Sequence, residues 1–258
     1  MEKRIFVNQM GRSVEVPISP KRIVSLVPSQ TELLHYFGLE KEVIGITKFC
    51  IYPNEWFKTK IRIGGTKQLK INEILALKPD LVIGNKEENT KEDIEELEKN
   101  GISVWMSDIN SFDRALEMIP QVGVMCGKVS QSEDLVRQIT NGFEEISQIG
   151  KGRSFLYFIW DEPKFVIGKH TFIESVLIKI GFLNNCNLDR YPELSELKNP
   201  NPDFVFLSSE PFPFTEQHVE KFQKLFPEAK VQLVDGEMCS WYGSRMLLAG
   251  DYFKGLIL

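Results

Sequence analysis

Twice in this chain a Pro-Asp pair stands directly before a short apolar run. Pro79-Asp80 precedes Leu-Val-Ile, and Pro202-Asp203 precedes Phe-Val-Phe. A helix-like stretch comes before each pair. In the first, Ile71, Ile74, Leu75 and Leu77 recur on one helical face. Proline cannot continue a helix, so it closes that stretch. The apolar run after it is too short for a helix and reads as a buried strand. Strands alternating with helices of this length build βαβ units over a parallel sheet. The constraint is therefore an α/β chain of two similar halves.

The rest of the pattern fits. Residues 4–8 and 13–16 alternate around Met10-Gly11-Arg12 and predict a small hairpin. Arg22 to Val27 reads as a buried strand, with further strands at 43–46, 102–106, 155–160, 165–167 and 230–234. Ser29 with Glu32, Thr90 with Asp93, Ser130 with Glu133 and Thr171 with Glu174 have the spacing of helix caps. Ala115, Met118, Ile119, Val122, Met125 and Cys126 share one helical face, and Val136, Ile139, Phe143, Ile146 and Ile149 share another. A continuous helix over 130–149 would be about 30 Å long, the width of a small domain. The pattern restarts after Gly150-Lys151-Gly152. The expected organisation is an α/β lobe over 1–127, a bridging helix over 128–150 and a second α/β lobe over 151–258.

Several functions are excluded early. The chain is 42% hydrophobic and 26% charged, which removes collagen-like and disordered readings. Its net charge of −5 argues against a broad grip on nucleic acid. No apolar run approaches the ~18 residues of a membrane span. Cys50, Cys126, Cys186 and Cys239 are far apart and form no Cys-x-x-Cys, so free thiols are expected. There is no Gly-x-Gly-x-x-Gly, no phosphate-cradling Gly-Lys-Ser/Thr loop and no Gly-x-Ser-x-Gly elbow. The three histidines, His35, His170 and His218, lack metal-ligand spacing. After Met1-Glu-Lys-Arg only Ile5-Phe6-Val7 is apolar. A signal peptide needs roughly 7–15 such residues. As it stands the sequence predicts a cytoplasmic protein, and a periplasmic one where a leader has been removed.

In open α/β sheets, ligands sit beyond the carboxyl ends of the strands. Pro28 and Ser29 follow the first buried strand, and Asn85, Lys86 and Glu87 follow the Pro79 strand. Trp160 ends the first strand of the second half, Glu210 and Phe212 follow the Pro202 strand, and Trp241, Tyr242 and Arg245 precede the last helix. Aromatics with a few placed charges suit a large, flat, partly polar ligand. Each has a plainer alternative. Trp160 reads equally as core, Lys86 to Glu88 as a solvated loop, and Arg245 as a cap on helix carbonyls.

Four segments taken together resemble the substrate-binding proteins of cobalamin and iron-chelate (siderophore, haem) ABC importers: RIVSLVPSQTELLHYFGL, GGTKQLKINEILALKPDLVIGN, FLYFIWDEPKFVIGKHTFIESVLIKIGFLNN and WYGSRMLLAGDYF. The resemblance runs from about Asn8 to Phe253. It implies two Rossmann-like lobes bridged by one long helix, with a metal-containing ligand (cobalamin, haem or a ferric chelate) in the cleft and no intrinsic cofactor. Carried over by position, the ligand would also meet Tyr52 and the Thr66-Lys67 turn. Cobalamin binders often carry aromatics where this chain has Thr66 and Asn85. The family docks a surface glutamate of each lobe on the permease. Here Asn72 and Ser195 hold those positions, and Glu73 and Glu196 each follow one residue later, a 100° turn on a helix. The reading is non-catalytic binding, with no nucleic-acid partner and no membrane embedding. The alternative is a chelatase-like tetrapyrrole or metal-chelate enzyme, with His170, Glu174 or Glu87 as acid–base groups.

Overall fold

The computed structural model describes residues 2–256; Met1, Ile257 and Leu258, the ends of the two expected lobes, lie outside them. The chain gathers into two compact units. The first holds the residues up to Ile109, Asp113–Arg137 and Tyr242–Arg245. The second holds Asn110–Phe112, Gln138–Trp241 and the residues from Met246 onward.

The first unit opens with the predicted hairpin, β1 (Lys3–Val7) against β2 (Ser13–Pro17), turned at Gly11 with φ of +74°. There follow β3 (Ile23–Ser25), α1 (Pro28–Tyr36), β4 (Val43–Ile46), α2 (Asn54–Thr59), β5 (Ile61–Arg62) and the small hairpin of β6 (Gly64–Gly65) and β7 (Gln68–Leu69). Then come α3 (Ile71–Ala76), β8 (Leu81–Asn85), α4 (Lys91–Lys99) and β9 (Val104–Ser107). The main sheet is parallel, in the order β5-β4-β3-β8-β9. Every residue of β3, β8 and β9 is buried, which is why these strands read as unbroken apolar runs. The chain starts at the central β3, runs outward through β4 and β5, and returns on the other side at β8. That reversal puts the topological switch point between β3 and β8.

Helix α5 (Phe112–Met125) turns at Gly127 into α6 (Val129–Glu145). Helix α6 has 17 residues, ends short of Ile149, and runs from the first unit into the second. Its buried positions include Ser132, Leu135, Ile139 and Phe143, and Ile146 is buried just past its end. Leu135 thus takes the place expected for Val136, which is only half-buried. A Cβ on Gly123 would fall 2.2 Å from Ser132 Oγ, so glycine there permits the close approach of α5 to α6.

The second unit begins with β10 (Ser154–Trp160), β11 (Phe165–Val166), α7 (Phe172–Lys179) and β12 (Leu183–Asn184). After a 3₁₀ turn at Leu194–Glu196 come β13 (Phe204–Ser208), α8 (Glu216–Leu225), β14 (Lys230–Val234), α9 (Gly236–Ser240) and α10 (Met246–Leu256). Strand β10 has β13 and then β14 parallel on one edge. Antiparallel β11 and short parallel β12 share its other edge. The switch point here lies between β10 and β13. Phe155, Phe182, Phe204 and Phe206 pack one face of this sheet at ring separations of 5.5–6.2 Å. Leu156, Phe158, Phe214 and Phe222 fill the other.

The two Pro-Asp pairs do the same work. Asp80 Oδ2 accepts the backbone N–H groups of Lys21 and Arg22 at 2.8 and 3.1 Å, just ahead of β3. Asp203 Oδ2 accepts the N–H and hydroxyl of Ser154 at 2.7 and 2.8 Å, at the start of β10. Each carboxylate pins the entry of one parallel strand, β3 or β10, beside the strand that the Pro-Asp pair opens, β8 or β13.

Of the four predicted caps, one forms. Thr171 accepts from Glu174 N, while the Glu174 carboxylate reaches back to His170 N at 2.9 Å. The helix beyond Val27 starts two residues early, at Pro28, so Ser29 lies inside it, buried, and makes no cap. Thr90 holds the N-cap position without a side-chain bond, and the carboxylate of Asp93 accepts Leu69 N at 3.0 Å instead of reaching back to the cap. Helix α6 starts at Val129, which puts Ser130 inside it. All four cysteines are buried free thiols, and burial pushes Cys126 and Cys239 up to about 12.

Two outcomes are expected. Gly123→Ala should cost about 1–3 kcal/mol in urea unfolding, with partial recovery when Ser132→Gly is added. For Asp203, the Ser154 N–H and then its hydroxyl hold the carboxyl below its ordinary value. Its stabilisation is thus present above the unfolded value of about 3.9 and drains away as pH falls through the lower folded value. The gap in urea midpoint between the protein and Asp203→Asn should be open at pH 6 and close towards pH 2.

Candidate functional site

Polar side chains collect under the carboxyl end of the first unit's sheet. Ser107, the last residue of β9, is fully buried, and its hydroxyl meets Gln30 Nε2 at 2.7 Å and Asn85 Nδ2 at 3.0 Å. It also reaches Gly84 O at 3.2 Å. Asn85 Oδ1 accepts Glu87 N at 2.8 Å, folding the loop after β8 back on itself. Asn89 completes the loop: its Oδ1 accepts Asn85 N at 2.9 Å, and its Nδ2 donates to Thr66 O at the same distance. A Cβ on Gly84 would lie 2.6 Å from Asn89 Oδ1. These bonds tie together the ends of β8 and β9, the β6–β7 turn and the first turn of α1.

Tyr242 and Arg245 close onto this base from far along the chain. Tyr242 is buried beside Ser29 and Ser107, and burial drives its pKa upward, so the phenol keeps its proton. Arg245 is buried; its Nε donates to Glu32 Oε2 at 2.9 Å, and its guanidinium lies 4.7 Å from the centre of the Tyr52 ring. Over this base the loop after β4 presents Phe49, Ile51 and Tyr52, exposed by 50%, 41% and 40%. Lys48 Nζ stands 5.0 Å from the Phe49 ring. Lys48 N bonds Gly64 O at 2.8 Å, which stitches this loop to β6. Cys50, within the same loop, is fully buried against Thr31 and Thr47, each at 3.1 Å from its sulfur, and burial raises its pKa.

The second unit carries its own aromatic group at the ends of β10 and β13. Trp160 is 40% exposed, and its ring stands edge-on to Phe212 at 5.5 Å. Phe212 in turn meets Phe214 and His218. Below them Asp161 is buried and accepts Lys221 Nζ at 3.0 and 2.9 Å. Lys221 and Lys164 hold the Glu162 carboxyl below its ordinary range. Glu210 Oε1 accepts Ser240 Oγ at 2.9 Å and Trp241 Nε1 at 3.1 Å.

The residues singled out from sequence divide into two kinds. Tyr52, Lys67, Lys86 and Trp160 are exposed, and Pro28, Thr66, Glu87, Glu210 and Phe212 are half-exposed. Ser29, Asn85, Trp241, Tyr242 and Arg245 are buried and shape the faces from beneath. Lys86 is held by Asp108 at 2.7 Å. Two further exposed residues, Phe49 and Ile51, were not singled out. Their signal was present in the sequence: three large apolar side chains within four residues between a strand and Pro53.

The acid–base alternative does not assemble. His170 is exposed, at a φ of +61°, and its ring faces the surface carboxylate Asp189 at 3.6 Å. Both Glu174 oxygens are engaged, one by His170 N and the other by Asn184 Nδ2 at 3.2 Å. Among the described residues no three His, Cys, Asp or Glu side chains gather as a metal site, and no helix is long and apolar enough to cross a membrane.

Known proteins give the same architecture. An uncharacterised ABC transporter substrate-binding lipoprotein of Bacillus subtilis, YvrC, is 29% identical over 177 residues, 65% of this chain and 56% of that protein's length. A vitamin B12-binding protein of Pectobacterium carotovorum is 23% identical over 243 residues, covering 90% of this chain and 86% of its own. The crystal structure of a periplasmic binding protein from Veillonella parvula superposes with a TM-score of 0.79 at 16% identity, over 99% of this chain and 97% of that one. Residues 23–229, from the first strand of the central sheet to the approach to β14, match one family throughout, and the chain belongs to the periplasmic binding proteins.

Proposed function

We propose that this protein binds a flat metal chelate of the corrinoid or haem type and presents it to an ABC permease, without catalysis. The observation that carries this reading is the loop after β4, at the carboxyl end of that strand, which leaves Phe49, Ile51 and Tyr52 exposed by 50%, 41% and 40%. Large apolar side chains clustered on a surface mark a site that something apolar covers. Trp160 and Phe212 supply a second aromatic group at the matching place in the other unit. Flat rings stack on such surfaces, and the vitamin B12-binding relative makes a corrinoid the first chemistry to try.

The family's name and the lipoprotein relative favour work outside the cytoplasmic membrane, the second of the two locations considered from sequence. For docking on a permease, Glu73 is the better candidate of the two glutamates. Its carboxylate is exposed on α3 beside Lys70 at 2.8 Å. Glu196 spends an oxygen on the N–H of Glu193, capping its own turn.

The test is titration with cyanocobalamin, haemin and ferrichrome, followed through each probe's visible spectrum. Saturable binding of at least one is expected; no binding of any would overturn the reading. Phe49→Ala should weaken the bound probe by about ten- to a hundredfold, the worth of one aromatic side chain withdrawn from water. Trp160→Ala is expected to act in the same direction, with the urea midpoint of both variants close to that of the parent.

A further inference from the structure

Glu32 has no role in the reading so far. The spacing from Ser29 suggested a helix cap, but Ser29 lies within α1 and the cap does not form. The carboxylate is instead the partner of Arg245 Nε at 2.9 Å, with the two side chains only 20% and 7% exposed. Taking two charges this far from water is costly, and such pairs are poor devices for stability alone. What this one achieves is placement. The guanidinium lies 4.7 Å from the centre of the Tyr52 ring, within cation–π range. Tyr52 is on a loop and 40% exposed, so one side of its ring is backed by the guanidinium while the ring remains open to a ligand. A loop aromatic left to itself would sample several rotamers and lose entropy on binding.

We propose that Glu32 is a positioning residue of the ligand face: from the rigid helix α1 it fixes Arg245, and Arg245 fixes the Tyr52 ring as a wall for a flat conjugated ligand. This rests on the binding function proposed above. The order of dependence runs from helix to ion pair to ring. The neighbouring residues of α1 anchor the helix itself, through Gln30 to Ser107 at 2.7 Å and Thr31 to Ser25 at 2.8 Å. The plane of the guanidinium matters as much as its charge, because lysine offers a point charge and no flat surface.

Two variants separate these parts. Arg245→Lys keeps a cation for Glu32 and removes the plane. Glu32→Gln keeps the size and an acceptor oxygen and removes the charge. Each is compared with the parent by thermal unfolding, by the ring resonances of Tyr52 in protein carrying ¹³C-labelled tyrosine, and by titration with cyanocobalamin and haemin. In Arg245→Lys the melting temperature should stay within a few degrees. The Tyr52 resonances should move towards the averaged values of a freely flipping ring, and affinity should fall by about three- to tenfold. Glu32→Gln should shift the same resonances and weaken binding at least as much. Unchanged Tyr52 resonances in both variants, or unchanged affinity alongside loosened ones, would overturn this role while leaving the binding function intact. A parent protein that binds neither probe would overturn the binding function, and this role with it.

Discussion

The Ser107 hydroxyl is a single buried group with several neighbours: Gln30, Asn85, the carbonyl of Gly84 and the phenol of Tyr242. A group so placed is cheap to keep and expensive to disturb, since each partner left unsatisfied inside the protein costs about 1–3 kcal/mol. Two features of the first unit's strand-end face stand on it at one or two removes. Gln30 fixes the start of α1, which carries Glu32 and through it Arg245 and Tyr52. Asn85 shapes the loop after β8 and hands its geometry through Asn89 to the Thr66 turn.

Much of the fold was legible because its signals are local. The Pro-Asp pairs mark a helix stop, a strand start and an anchoring carboxylate within a few residues, and Asp80 and Asp203 perform the same task in the two units. Buried parallel strands must be apolar on both faces, so β8 and β13 could be read directly. The caps were less legible, because a serine or aspartate has competing partners that only the tertiary structure brings near. Asp93 bonds Leu69 N, 24 residues away in the chain. Pro28 begins α1 two residues sooner than the spacing suggested, which leaves Ser29 buried within the helix.

The face itself was legible as a set of places rather than a set of roles. Strand-end positions located both aromatic groups. Sequence could not distinguish Trp160, which is open, from Trp241, whose indole is tucked against Glu210. Nor could it show that Tyr242 and Arg245 serve the face from below, because their surroundings come from residues more than a hundred positions away. Arg245 and Glu32 are 213 residues apart.

The buried thiols have a practical consequence. Cys50 and Cys126 belong to the first unit, Cys186 and Cys239 to the second. Only the thiolate attacks an alkylating reagent, and burial suppresses that form in all four. Each sulfur therefore stays silent while its surroundings are closed and reacts when they open. The chain carries two native clocks per unit, and the rate at which each cysteine is consumed times the opening of its own half of the molecule.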